Sequence, residues 1–143
     1  MNPLKGSLSF TIEPQWGGDQ TRKASLVHVR ANPAADNQML IAKDGASLRF
    51  VFVNGDGLTA NIAGWGSGER HVVVTTWDRG VMGLYVDGKS QGTAQYSGVL
   101  DVKVDTPMLL GSGQAGSGNF SHFQIYPQGL TPAQITALVA AQR

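Results

Sequence analysis

The chain offers few residues for chemistry: ten acidic side chains, three histidines, three tryptophans and no cysteine in 143 residues. Glycoside hydrolysis needs two carboxylates flanking the scissile bond, about 5–5.5 Å apart for retention or 6.5–9.5 Å for inversion. The only glutamates are Glu13, at a predicted strand end, and Glu69, in a predicted turn, and no strand carries alternating acids. The histidines His28, His71 and His122 fall on predicted strands, and none has a second ligand at i+2 or i+4. A zinc site needs three or four converging ligands, so these positions read as ordinary strand residues. Many of the serines lie in turns and none has a nucleophile elbow around it, and a cysteine nucleophile or thiolate metal site is impossible. The expectation is a non-catalytic protein with no catalytic residue and no metal ligand set.

Calcium is the one cofactor left open. Eight aspartates, Asp19, Asp36, Asp44, Asp56, Asp78, Asp87, Asp101 and Asp105, are spread through loops and strand ends. Calcium takes six to eight oxygens, and no EF-hand spacing is present. Asp44, Asp56 and Asp87 each precede a glycine, the usual chemistry of a tight turn. No cofactor is expected. The tryptophans are the recognition candidates. Trp77 shares a face with Val73 and Thr75 and reads as core. Trp65, within Gly64-Trp65-Gly66, and Trp16, within Gln15-Trp16-Gly17, sit in glycine-rich loops where a large amphipathic ring can stack on a sugar or anchor an interface. The other reading of Trp65 is a lid folded onto the sandwich edge.

The elements that would position these residues are strands. Charged residues make up only 15% against 41% hydrophobic, with 19 glycines, which suits many short strands joined by tight turns. Leu8, Phe10 and Ile12 alternate with Ser7, Ser9 and Thr11, predicting a half-buried strand. Further strands are predicted at Ser25–Arg30, Gln38–Lys43, Leu48–Val53, Leu58–Ala63, His71–Trp77, Val81–Val86, Lys89–Thr93, Pro107–Gly111 and Phe120–Tyr126. In the fourth of these strands the set Arg49, Val51, Val53 is apolar except for its arginine, so the strand is expected to be covered on both sides for part of its length. Asp44-Gly45 and Asp87-Gly88 mark hairpins. Thr131-Pro132 predicts a helix start, and Ile135, Leu138 and Val139 give that helix one apolar face. The result is an all-β fold, an antiparallel sandwich of two sheets with a short C-terminal helix, in a single domain over residues 1–143.

Three stretches then resemble a known family. Thr76-Trp77-Asp78 followed by Leu84-Tyr85-Val86-Asp87-Gly88 is similar to the central hairpin of the laminin-G-like, concanavalin A-like lectin/glucanase domains. Phe120–Tyr126 with Leu130-Thr131-Pro132 is similar to the family's last strand and trailing helix, and Leu109-Leu110-Gly111-Ser112 to the short strand before it. The resemblance implies a jelly roll, a fold that hosts lectins, hydrolases, adhesion modules and viral structural proteins. Two departures stand out. Arg70 replaces a common aromatic, and Ser121-His122 stands where family members often carry an acidic pair, which weakens an implied calcium site.

Net charge is +1 and the densest basic spot is Arg22-Lys23, too little for a nucleic-acid footprint. No apolar run approaches the ~20 residues of a membrane span, so membrane insertion is not expected. Met1–Lys5 shows no charged-then-apolar leader pattern. A virion protein made in the cytoplasm and released by lysis fits that absence together with the lack of cysteine. The leading expectation is therefore a bacteriophage structural protein, a capsid decoration or tail appendage, with a protein lattice as partner and an arrangement compatible with a homo-oligomer. The alternative is a glycan-binding, lectin-like module of an extracellular surface, excised from a larger secreted protein.

Overall fold

The computed structural model describes residues 3–14, 23–32, 37–53, 57–103, 106–111 and 119–142. Ten strands and one helix follow in chain order: β1 (Lys5–Glu13), β2 (Lys23–Asn32), β3 (Asn37–Asp44), β4 (Ser47–Val53), β5 (Leu58–Asn61), β6 (His71–Asp78), β7 (Val81–Val86), β8 (Lys89–Gln95), β9 (Leu109–Leu110), β10 (Asn119–Tyr126) and α1 (Pro132–Gln142). Each predicted strand is present, and every described ladder is antiparallel. Two five-stranded sheets result, ordered β10-β1-β6-β7-β8 and β5-β4-β3-β2-β9. The fold is an antiparallel jelly-roll sandwich with a short C-terminal helix.

Local chemistry accounts for the hairpins. Asp87 and Gly88 take φ of 52° and 86°, and Arg79 and Gly80 take 43° and 99°. Positive φ at both central residues gives the turn twist that matches paired strands. Between the sheets, Leu8, Phe10, Ile12, Leu26, Met39, Ile41, Phe50, Phe52, Trp77 and Leu84 are wholly buried. Phe52 of one sheet stacks on Trp77 of the other at 5.2 Å and meets Tyr96 edge-on at 4.8 Å.

The helix covers the outer face of one sheet. Ile135 and Val139 of α1 pack on Val72 and Val74 of β6, with Tyr85, Leu130 and Leu138 around them. A reciprocal capping box starts the helix. The Gln134 N–H donates to Thr131 Oγ1 at 3.2 Å, and the Thr131 N–H donates to Gln134 Oε1 at 2.9 Å. This docking corrects the half-buried reading of β1. Ser7, Ser9 and Thr11 are as buried as the apolar set beside them, because the segment from Gln128 to Gln142 lies over that face. Ser7 Oγ donates to the Gln128 carbonyl at 2.9 Å and accepts the Leu130 N–H at 2.8 Å, and Thr11 Oγ1 donates to Gln142 Oε1 at 3.0 Å. Small hydroxyls let the trailing segment approach the strand closely; those of Ser7 and Thr11 find partners there, while Ser9 Oγ is buried without one among the described residues.

Candidate functional site

Among the described residues the second sheet leaves the part of its outer face around Ala42 open, and the register defines what stands on it. Lys23 pairs with Asp44, which pairs with Ser47. One row on, Ser25 pairs with Ala42, Ala42 with Arg49 and Arg49 with Thr59. In the next row Leu109 pairs with His28, His28 with Leu40 and Leu40 with Val51. Strands lie about 4.8 Å apart and rows about 6.8 Å apart, so this grid covers roughly 14 Å in each direction. Ala42, a short side chain in the central strand between Ser25 and Arg49, leaves a hollow. Lys23, Ser25, His28, Leu40, Ala42, Asp44 and Arg49 line an open depression of about 440 Å³.

The polar groups around this hollow are unequally engaged. Lys23 Nζ lies 3.8 Å from Asp44 Oδ1, with both side chains at least half exposed. His28 Nε2 is 2.8 Å from Gln38 Oε1. Arg49 is exposed, and no carboxylate or hydrogen-bonding side chain among the described residues engages its guanidinium. The mixed strand predicted around Arg49 is real: Val51 and Val53 are 7% and 3% exposed, while Arg49 stands in solvent. Lys43 also borders the hollow, but it follows Met39 and Ile41 inward, is 1% exposed, and Nζ donates to the Gly45 carbonyl.

A second cluster gathers at the start of β6. His71 Nδ1 is 2.7 Å from Asp87 Oδ2, and Asp87 Oδ1 accepts the Val72 N–H at 2.9 Å. The indole of Trp65 stacks on the His71 ring at 4.1 Å, 4° from parallel. Glu69 accepts the Gly66 N–H and lies 3.7 Å from His71 Nε2. A histidine oriented by an aspartate has the outline of a general base, but catalysis needs the other ring nitrogen to face a proton to move. Here Nε2 is buried and has no hydrogen-bond partner among the described residues. The cluster is a clamp joining β6, the loop before it and the β7–β8 turn.

Trp65, 8% exposed, belongs to the core cluster, with one ring face occupied by His71. The glycines beside it give the loop its path and do not leave the ring free. Trp16 lies outside the described residues, as do Asp19, Asp36, Asp56 and Asp105. Among the described residues no three His, Asp or Glu side chains converge as a metal site. At the position of the implied acidic pair, His122 Nδ1 lies 3.2 Å from Ser121 Oγ, with no carboxylate in the pairing. No helix among the described residues is long and apolar enough to cross a membrane.

The open-face site escaped the sequence reading because its members come from three strands and none forms a motif. Only Arg49, the lone charge in an apolar alternating set, signalled it.

The fold has many solved counterparts. The binding domain of botulinum neurotoxin serotype D superposes with a TM-score of 0.73 at 13% identity, covering 97% of this chain and 36% of that one. The type G neurotoxin receptor-binding domain gives 0.68 at 9% identity, covering 96% and 38%. Domain 4 of AbnA, a GH43 extracellular arabinanase from Geobacillus stearothermophilus solved in complex with arabinotriose, gives 0.74 at 15% identity, covering 97% of this chain and 68% of that one. The chain thus spans little more than a third of the neurotoxin chains. No curated protein matches significantly. The family model of the concanavalin A-like lectin/glucanases superfamily matches residues 6–136. Through that match, and with the two-sheet sandwich on which it rests, the chain belongs to the concanavalin A-like lectin/glucanase superfamily.

Proposed function

We propose that this chain is a non-catalytic carbohydrate-binding module whose ligand lies across the open face of the β5-β4-β3-β2-β9 sheet. The observation that carries the reading is the hollow over Ala42, with an apolar floor at Leu40 and Ala42 and polar groups at its edges. Sugars present both hydroxyl edges and C–H faces, and a binding site of this kind pairs apolar surface with a few placed polar groups. On the opposite sheet α1 occupies the outer face over β6. The arabinanase domain solved with arabinotriose supports the same reading. In this reading residues 1–143 form one binding unit that acts at an extracellular surface and needs no calcium. The neighbours give no support to a virion role, and nothing on the open face favours a lattice contact over a glycan.

A glycan array with purified protein tests it, repeated with Ala42→Phe. Binding is expected for at least one oligosaccharide class, to be abolished when the phenyl ring fills the hollow, and to leave the sugar uncleaved. No binding to any class, or undiminished binding by the variant, would remove the open face from consideration.

A further inference from the structure

We infer that the ligand of the open face is an acidic saccharide, bound through its anionic group by Arg49. This rests on the carbohydrate-binding reading above and adds the chemical class. Around the hollow stand three basic side chains, Lys23, His28 and Arg49, against one carboxylate, Asp44. Asp44 is already 3.8 Å from Lys23, so its charge is locally compensated. His28 is committed at Nε2 to Gln38. Among the described residues that leaves Arg49 as the uncompensated charge of the face. It contrasts with Arg79, which borders the smaller depression of about 260 Å³ near Leu4 and Tyr96 and whose Nη1 lies 3.4 Å from Asp78.

Position reinforces charge. Arg49 is directly opposite Ala42 on one side and Thr59 on the other, so its guanidinium stands at the lip of the hollow between short neighbours. A guanidinium presents a planar fork of donors that matches two oxygens of a carboxylate or sulfate, which an ammonium cannot reproduce. With the ring of the sugar on Leu40 and Ala42, an exocyclic anionic group reaches the fork. A neutral sugar would leave the charge without a counterpart.

Isothermal titration tests the assignment with trigalacturonate, sialyllactose and a sulfated galactose trisaccharide, each beside a neutral counterpart: carboxyl-reduced trigalacturonate, lactose and unsulfated galactotriose. At least one acidic sugar is expected to bind about 10- to 100-fold more tightly than its counterpart, the range of a hydrogen-bonded charge. The three acidic arms separate uronate, sialate and sulfate as the source of the anion. Arg49→Gln should bring the acidic sugar down to its counterpart's affinity, and Arg49→Lys should retain only part of the preference. Arg49 is exposed, so an unchanged circular dichroism spectrum is expected for both variants. Equal affinity for acidic and neutral sugars, or a preference that survives Arg49→Gln, overturns the acidic class and leaves carbohydrate binding standing. Silence of all six sugars overturns the acidic class, and the array decides carbohydrate binding separately.

Discussion

Asp87 gives the sharpest test of how the β6 end of the sandwich is held. Its carboxylate accepts the Val72 N–H at 2.9 Å and is 2.7 Å from His71 Nδ1, with the side chain 18% exposed. Its backbone has φ of 52°. Asp87→Ala removes both interactions and places an alanine in the left-handed region. A hydrogen bond to a charged group contributes about 1.5–3 kcal/mol when buried, less for a pair that keeps some solvent. The left-handed strain adds about 1 kcal/mol. The expected loss is about 3–5 kcal/mol, roughly 12 °C or more in Tm at about 4 °C per kcal/mol for a domain of this size. Asp87→Gly removes the same hydrogen bonds without the strain and should be about 1 kcal/mol less damaging. Asp87→Asn keeps a neutral acceptor for the Val72 N–H and tolerates the turn, so about 1–2 kcal/mol is expected. Urea unfolding of the three variants reads these differences directly. If Ala is no worse than Gly, the backbone is unstrained. If all three lie within about 0.5 kcal/mol of the parent, the clamp contributes nothing and the reasoning is wrong.

Three further predictions concern packing. Trp65→Ala should cost about 3–5 kcal/mol, because the ring is buried against His71 and its removal opens a cavity; lost glycan affinity at an unchanged unfolding midpoint would instead make Trp65 a contact residue. Ile135→Ala should cost about 2–5 kcal/mol and release α1 from β6, measurable as faster hydrogen exchange at Val72 and Val74. Gly6→Ala should cost about 1–3 kcal/mol by urea unfolding, since the new methyl would meet Trp77 Cζ2 at 2.6 Å and the Tyr126 carbonyl at 2.9 Å. Gly45→Ala meets no atom within 4 Å and should show only the strain of its φ of +59°, about 1 kcal/mol. If the two glycine variants lose equal stability, the close approach of β1 to Trp77 is not what restricts Gly6.

The strands, hairpins and helix start were legible in the sequence because each is set locally. Alternation of Leu8, Phe10 and Ile12 with small polar residues orients a strand, and Asp87-Gly88 and Gly45 supply the backbone conformations their turns require. The capping role of Thr131 is equally local, resting on a residue three positions away. The shared motif around Trp77 and Leu84-Tyr85-Val86 also led to the superfamily, since hairpin neighbours stay close in sequence. What lies on which surface was decided only by the tertiary structure. The hydroxyls of β1 looked exposed and the indole of Trp65 stood open between a contact and a lid, and a segment more than a hundred residues later covers the former while a strand-initial histidine takes up the latter. The hollow over Ala42 depends on the joint register of β2, β3, β4 and β5 and on α1 docking against the other sheet. Alternation says that a strand has two faces; which face stays open is set by long-range packing, which no local pattern encodes.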